Sequence, residues 1–250
     1  MSAAQYPWPD SCEAALSLTF DDGMPSHLDR AVPILGDHNL KGTFYINPRG
    51  DDWQKNIEPW RAVVHAGHEV GNHTVNHPCS WAFKEARDGG LEKMTLADIE
   101  QEIAEGKRRI GEAIPGQSGF TFCYPCYHAH IGEGPTRQSY VPVVASYHTA
   151  ARGKGDEANH PVTADLHHLY SIPVERKAAW EMIGLVEDAV AKHRWVILTF
   201  HGIHAGHLSV AEVDFIGLCQ HLGRNKKRIW TAPVITVSNR IRSWRLENEK

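Results

Sequence analysis

The sequence predicts an α/β fold in which parallel strands close, or nearly close, into a TIM-like barrel. Short β-rich runs alternate with amphipathic helical stretches along the whole chain, which is the pattern of repeated β-α units. The length of 250 residues is ordinary for an α/β barrel. No internal linker or low-complexity segment interrupts the alternation. We therefore expect one domain over residues 1–250.

The predicted strands are short runs with the composition of buried strands. They lie at residues 14–20, 42–47, 68–73, 119–124, 143–148, 169–174, 195–200 and 233–237. Helical hydrophobic spacing predicts helices at 96–114, 176–193 and 209–225. Ser209 and Glu212 have the spacing of a capping box at the start of the last helix. The polar, glycine-rich stretch 151–163 predicts an exposed loop.

The composition is typical of a soluble globular protein and gives no reason to expect a nucleic-acid or membrane partner. Apolar residues make up 42% of the chain and charged residues 22%, which is normal for a protein with a sizeable core. A net charge of -4 offers no attraction to nucleic acid or to an anionic membrane. No apolar stretch approaches the length of a transmembrane helix. The 17 histidines hint at metal chemistry.

The cysteines and the first residues favour a cytoplasmic protein. No lysine or arginine precedes Arg30, so the start lacks the basic region of a secretory signal. The cysteines are odd in number and irregularly spaced, which favours reduced thiols. They are Cys12, Cys79, Cys123, Cys126 and Cys219. Secretion is the alternative if a signal peptide has been removed.

Two adjacent carboxylates, Asp21 and Asp22, end the first predicted strand and are followed by Gly23. Asp-Asp-Gly is good turn chemistry, so a simple turn is one interpretation. The other is a site in which one carboxylate holds a cation and the other moves a proton. In a barrel the catalytic residues lie in the loops that follow the strands. The residues that follow the other strands therefore decide between a simple turn and a catalytic site.

Histidines follow two other predicted strands. His73 and His77 lie four residues apart, and over one helical turn this spacing places both imidazoles on one face, where they can share a cation. A structural role for this pair is equally compatible with the spacing. His201 follows the run at 195–200, and alone it could be a hydrogen-bonded core residue.

Together these motifs resemble the polysaccharide deacetylase family, carbohydrate esterase family four. The family motif Thr-Phe-Asp-Asp-Gly is complete at 19–23, and His-(Ser/Thr)-x-x-His is complete at 73–77. The late strand ends at His201, although Thr199 stands where the family pattern Leu-x-His has leucine. The resemblance covers roughly residues 14–240. It implies a distorted (β/α)7 barrel and metal-dependent hydrolysis of an N- or O-acetyl group on a sugar.

The resemblance also implies a role for each motif residue. Asp22, His73 and His77 correspond to the ligands of one divalent ion, which we expect to be zinc, with cobalt, nickel or manganese as alternatives. Asp21 corresponds to the general base and His201 to the general acid. Two imidazoles and one carboxylate leave open positions on the ion for water and the acetyl oxygen. An acetylated sugar is the partner implied, and the sequence does not indicate an oligomeric state.

The third family motif, Arg-x-Pro-Tyr, is altered. Residues 123–126 have the sequence Cys-Tyr-Pro-Cys, so the arginine that tethers the base is missing. We expect Arg152 to supply this charge from the same mouth of the barrel. The resemblance implies that Pro125 keeps the turn and that the backbone N–H of Cys126 faces the oxyanion, which does not depend on the side chain. Thr199 replaces the leucine that lines the acetyl-methyl pocket in the family.

Other positions near the proposed site leave alternatives open. Trp180 is a loose candidate for the tryptophan of the acetyl-methyl pocket, although a core aromatic on a helix is the favoured interpretation. His204 and His207 either line the substrate groove or are solvated loop residues. We place His204 with the substrate-binding residues.

Four alternative functions are compatible with parts of the sequence. Cys123 and Cys126 have the spacing of a thiol redox site, and with His128 and His130 they could hold a structural zinc. Because Pro125 belongs to the deacetylase motif, we expect Cys123 and Cys126 to be free thiols instead.

A further alternative is a non-haem iron enzyme, since two histidines and a carboxylate also describe such a site. These enzymes generally use an antiparallel β scaffold, whereas this chain has the pattern of β-α repeats. A hydrolase of the same fold that acts on a cyclic amide is a third possibility. A non-catalytic sugar-binding protein is the fourth, and it is disfavoured because both proton-transfer residues are present.

Overall fold

The computed structural model describes residues 6–83 and 90–248. A curled parallel sheet forms its centre, and helices cover the outside. The strands are β1 (Ala14–Phe20), β2 (Thr43–Ile46), β3 (Glu69–Asn72), β4 (Thr121–Cys123), β5 (His130–Ile131), β6 (Gln138–Ser139), β7 (Ala150–Arg152), β8 (Ile172–Pro173), β9 (Trp195–Phe200) and β10 (Ile229–Thr231). The helices are α1 (Val32–Asp37), α2 (Trp53–Ile57), α3 (Trp60–His65), α4 (Leu96–Ala113), α5 (Val141–Tyr147), α6 (Ala179–Ala191), α7 (Glu212–Arg224) and α8 (Val234–Asn248).

The main sheet has the strand order β7-β4-β3-β2-β1-β9-β8, and β10 pairs with the first half of β1. Strands β5 and β6 form a separate antiparallel hairpin. The two edges of the main sheet are joined through the segment that leads into β8. In this seam the amide of Leu169 donates to the carbonyl of Ala151 at 2.9 Å, and that of Gly155 donates to Ser171 at 2.9 Å. The predicted α/β fold with a curled parallel sheet is confirmed.

The core forms because the central strands are buried on both faces, as expected of strands covered by helices. Every residue of β1 and β9 is buried. Four phenylalanine rings link these strands to β2 and α7, with centroids 4.7–5.8 Å apart: Phe20, Phe44, Phe200 and Phe215. Helix α4 buries its isoleucine face and begins with a capping box between Thr95 and Asp98.

Two predicted strands are wrong. Residues 143–148 lie mostly in α5, and the strand at this place in the order is β7, just beyond them. Residues 233–237 lie at the start of α8, and the preceding strand is β10. In both cases a proline at or just before the first helical turn favours helix initiation, and periodicity cannot separate a short apolar strand from a buried helical segment.

Two smaller expectations also need correction. The N-cap of α7 is Ala211, which makes no side-chain cap, so the capping box predicted from Ser209 does not form. The stretch 151–163 does not begin as an exposed loop, because Ala151 and Arg152 belong to buried β7. Among the described residues, none of the helices has the length and apolar character needed to cross a membrane.

Candidate active site and metal centre

The motif residues lie around one cavity at the carboxyl ends of the parallel strands, which is where the active sites of α/β barrels are found. Asp21 follows β1 directly, and its amide donates to the Phe200 carbonyl at the end of β9 at 2.9 Å. The cavity has a volume of about 720 Å³. Its lining residues are Asp21, Asp22, Met24, Asn47, Arg49, His73, Asn76, His77, Phe83, Tyr124, Cys126, Tyr127, His201, His207 and Leu208.

Asp22, His73 and His77 form a set of three potential metal ligands. The Asp22 Oδ1 atom lies 3.5 Å from His73 Nε2 and 3.4 Å from His77 Nε2. Oxygen and nitrogen ligands at about 2.0–2.1 Å from a tetrahedral zinc ion are separated from each other by about 3.4 Å. The three residues therefore fit a divalent ion in both donor type and spacing.

Hydrogen bonds around the three ligands fix the orientation of the histidine rings. His73 Nδ1 donates to the Cys123 carbonyl at 2.8 Å, which leaves Nε2 facing Asp22. The His77 amide donates to Thr74 Oγ1 at 3.0 Å. Burial, and then the nearby His73, lower the pKa of His77 to about 3, so this ring is neutral near pH 7. A neutral imidazole is the form that binds a metal.

The charge of Asp22 also suits a ligand. Burial opposes ionisation of its carboxyl group, but the hydrogen bond to His73 and the surrounding histidines outweigh burial and hold the pKa of Asp22 well below its ordinary value. Its other oxygen, Oδ2, lies 3.9 Å from His201 Nε2. His201 therefore stands on the side of the carboxylate away from the two ligand histidines.

Asp21 is held by a buried arginine and a buried thiol. Arg152, which is 0% exposed, donates through one nitrogen to Asp21 Oδ1 and through the other to Cys123 Sγ at 3.1 Å. The Cys123 thiol donates to Asp21 Oδ2 at 3.5 Å. The guanidinium lies 4.8 Å from the centre of the Tyr45 ring. Burial raises the pKa of Asp21, but the charge of Arg152 outweighs it, so the net pKa lies below the ordinary value and Asp21 is ionised.

Strand register explains how Arg152 reaches this position. Cys123 in β4 and Arg152 in β7 are direct partners across the parallel pair. Partners in register point to the same face of a sheet, so an arginine at 152 faces the cavity region that an arginine at 123 would face. The structure places Arg152 where the missing charge was expected.

His27 is a residue of the site that sequence reasoning missed. It is fully buried, and its Nε2 donates to the backbone carbonyl of His201 at 2.7 Å. Burial lowers the pKa of His27 to about 4, so the ring is neutral and carries its proton on Nε2. His27 thereby fixes the backbone of His201. The available signal was a histidine five residues after Asp22.

Cys126 forms a disulfide with Cys79, so the expectation of a free Cys126 thiol is wrong. Their Cα atoms are 5.6 Å apart, and the sequence separation of 47 residues concealed the pair. Cys123 is free and buried, as expected, so the redox pair of Cys123 and Cys126 does not form. The bond also removes one reason for expecting a cytoplasmic protein, because disulfides persist mainly in oxidising compartments.

The backbone is left-handed at several residues that line the cavity or lie beside it. The φ angles are 74° at Asp22, 63° at Thr74, 56° at His77 and 50° at Cys126. This conformation is uncommon outside glycine, although Asp and His tolerate it better than most residues. Unfavourable backbone conformations persist where the surrounding contacts enforce them, as they do at many functional sites.

Comparison with known proteins supports the family that the sequence motifs resemble. Residues 9–129, which include both complete motifs, match the family model described as polysaccharide deacetylase. This match and the similarity to chitooligosaccharide deacetylases support the polysaccharide deacetylase family for this chain. It is 33% identical over 103 residues to a chitooligosaccharide deacetylase of Sinorhizobium fredii, a match that covers 40% of this chain and 41% of that protein. The chain spans less than half the length of the curated relatives it matches.

Solved structures of the polysaccharide deacetylase family share the fold. A Mycobacterium smegmatis protein named for the family aligns with a TM-score of 0.66 at 13% identity, over 97% of this chain and 95% of that one. A pseudoenzyme of the CE4 family from Bacillus anthracis aligns with a TM-score of 0.58 at 15% identity, over 95% of this chain and 70% of that one. At such identities the likeness establishes the fold, and activity must be argued from the residues.

Several positions that the sequence suggested for the substrate site lie away from the cavity. Thr199 is buried within β9, where its hydroxyl donates to Ser171 Oγ at 2.9 Å. His204 is exposed and is not among the lining residues. His207 does line the cavity, with its ring 6.1 Å from that of His201.

Trp180 lies on α6 and is 75% exposed. The interpretation of this residue as a core aromatic is therefore wrong, and it does not line the cavity either. Aromatic side chains at the cavity come instead from Phe83, Tyr124 and Tyr127, which sequence reasoning did not single out. No local motif marks these three residues, since their place depends on how the loops pack.

Proposed function

We propose that this protein is a metal-dependent hydrolase that removes an acetyl group, N- or O-linked, from a carbohydrate. One observation carries the proposal: a carboxylate and two imidazoles stand at the spacing of ligands on one ion, beside a second, ionised carboxylate. A ligand set alone would also suit a structural ion. The adjacent Asp21, held by Arg152, is the additional group that hydrolysis requires.

Asp22, His73 and His77 would hold the ion, and zinc suits two imidazoles and one carboxylate. When bound, such an ion polarises the acetyl carbonyl and lowers the pKa of water. Its three protein ligands leave room for both molecules. The cavity between the strand ends is open to a substrate of the size of a sugar, with a volume of about 720 Å³.

Asp21 takes the proton from water as water adds to the acetyl carbon. Arg152 and the Cys123 thiol hold one carboxylate oxygen each, so the carboxylate keeps a fixed orientation. His201, as imidazolium, gives a proton to the departing amine or alcohol oxygen. The products are acetate and the free amino or hydroxyl group of the sugar.

The backbone N–H of Cys126 is the proposed donor to the oxyanion that develops on the acetyl oxygen. The left-handed conformation of Cys126 and its bond to Cys79 hold this turn in place. Phe83 and Tyr127 offer aromatic surface against which a sugar ring can pack. A carbohydrate substrate is further supported by the similarity to the chitooligosaccharide deacetylase of Sinorhizobium fredii.

The test is acetate release from a panel of acetylated chito-, xylo- and peptidoglycan oligosaccharides, measured with several divalent ions. We expect release that a chelator abolishes and zinc restores. The matched control is Asp21→Asn, which removes the base but not a ligand. Absence of acetate from every substrate would refute the proposal. Ring opening of a cyclic amide in the same experiment would favour the alternative hydrolase.

A further inference from the structure

The imidazole of His77 lies between two sets of potential metal ligands. Its Nε2 lies 3.4 Å from Asp22 Oδ1, on the side of the proposed catalytic ion. Its Nδ1 lies 3.5 Å from the Sγ of Cys79, on the opposite side of the ring. Cys79 is bonded to Cys126, so neither sulfur is a ligand in this state. The ligand atoms of His77, Cys79 and Cys126 all lie within 4.8 Å of one another.

We propose that reduction of the Cys79–Cys126 disulfide creates a second metal site, formed by the two thiolates and His77 Nδ1. A neutral imidazole has one lone pair, on one of its two nitrogens. His77 can therefore serve the thiolate site or the catalytic site, but not both as a neutral ring. The thiolate site rests on these three residues alone, whereas its competition with the catalytic ion rests on the function proposed above.

The spacing of these atoms suits zinc or cobalt. With metal–sulfur and metal–nitrogen bonds of about 2.3 and 2.05 Å, a tetrahedral ion separates its sulfur and nitrogen ligands by about 3.6 Å. The distance from Cys79 Sγ to His77 Nδ1 is 3.5 Å before any movement. The two sulfurs must separate to about 3.8 Å for such an ion. With Cα atoms 5.6 Å apart, rotation of the side chains allows this once the bond is broken.

The disulfide is open to a small reductant. Cys126 lines the catalytic cavity, whereas Cys79 is 1% exposed. A dithiol such as dithiothreitol would attack the Cys126 sulfur, release the Cys79 thiolate, and then close on itself to release Cys126. The dithiol supplies two electrons and two protons and becomes a cyclic disulfide. Metal binding then displaces the two thiol protons.

The types of ligand predict which of the two sites holds the metal after reduction. Thiolates are softer ligands than a carboxylate and bind zinc or cobalt in preference to harder ions. With one equivalent of metal, the reduced protein should therefore hold it at the sulfurs, with His77 turned to them. The oxidised protein should hold it at Asp22, His73 and His77. The disulfide would thus keep His77 available to the catalytic site.

The test uses cobalt(II) alone, added to the oxidised and to the dithiothreitol-reduced protein after the reductant has been removed without air. A thiolate-to-cobalt charge-transfer band in the near ultraviolet arises only when sulfur is a ligand. We expect this band in the reduced protein and its absence in the oxidised protein. Reoxidation should remove it. Reduced protein that binds cobalt without the band would overturn the proposal.

Three variants test which residues supply the ligands responsible for the charge-transfer band. The double variant Cys79→Ser/Cys126→Ser should bind cobalt without the band and respond to no reductant, while Cys123→Ser should keep the band. A band that persists in the double variant would place the sulfur ligand elsewhere and refute the site. His77→Ala should weaken cobalt binding at the sulfurs at least tenfold.

Competition is measured separately, with one equivalent of zinc and acetate release as the signal. Reduction should lower the rate at least tenfold, and excess zinc should restore part of it. An unchanged rate in a protein that shows the cobalt band would refute the competition but not the second site. A protein without deacetylase activity would still report the cobalt band, so the two proposals fail independently.

Discussion

The buried ion pair of Asp21 and Arg152 allows a sharp prediction about stability and activity. The two residues are 2% and 0% exposed. Replacing Arg152 by glutamine removes the positive charge and leaves the Asp21 carboxylate buried without its counterion. Loss of one partner of a buried pair costs about 3–5 kcal/mol. We expect Arg152→Gln to lower the free energy of unfolding by this amount at pH 7 and to lower kcat/KM.

The pH dependence of this loss has a definite sign. In the parent protein the pKa of Asp21 lies below its ordinary value, so the pair contributes stability above the unfolded pKa of about 3.9 and loses it as pH falls through the folded value. In Arg152→Gln the largest charge that opposes burial is gone, so the pKa of Asp21 should rise above its value in the parent protein, although His73 and His201 still lower it. The penalty should therefore be largest near neutral pH and should shrink in acid, where Asp21 takes up a proton.

The stability measurement is urea-induced unfolding, across pH 4–8, of protein from which metal has been removed with a chelator. The value of kcat/KM for acetate release is measured separately. Arg152→Lys is the matched control. It keeps the positive charge but loses the two guanidinium hydrogen bonds to Asp21 and Cys123. It should be destabilised less than Arg152→Gln, and its loss of stability should depend less on pH. If Arg152→Gln unfolds like the parent protein at pH 7, the argument from the buried pair is wrong.

Three further predictions concern the proton carriers and the displaced arginine. Asp21→Asn should retain bound zinc by metal analysis but lose about 10²–10⁴-fold in kcat, and near-normal acetate release would exclude it as the base. His201→Ala should lose a similar factor on acetamido sugars and clearly less on aryl acetates, whose leaving group needs no proton; equal losses on both would exclude it as the acid. The exchange Cys123→Arg/Arg152→Cys should recover at least tenfold in kcat/KM over Arg152→Cys alone, since both positions face the same side, and no recovery would contradict the register argument.

The central strands and the motif positions could be predicted from sequence because their signals are local. β1 and β9 are buried, mostly apolar runs, and their bounds match the predicted ones. Asp21, Asp22, His73, His77 and His201 follow predicted strands, and barrel topology alone brings such positions to one end. These five residues line one cavity because the carboxyl ends of all the parallel strands lie at the same end of the fold.

Other features depend on contacts that a linear pattern does not contain. Residues 143–148 are apolar enough for a strand, and only packing makes them α5. The bond between Cys79 and Cys126 joins two loops 47 residues apart. The place of Arg152 opposite Cys123 follows from strand register, which is decided when β4 and β7 pair.

The ion pair of Arg152 and Asp21 spans the interior of the barrel. Arg152 lies in β7 and Asp21 follows β1, four places further along the strand order. Arg152 also forms the bridge to Leu169 at the seam where the two edges of the sheet meet. The residue that holds Asp21 therefore also takes part in joining the two edges of the sheet. If the proposed function holds, acetate release should therefore require β7 to be in place, and a form of the protein in which β7 has not paired should be inactive.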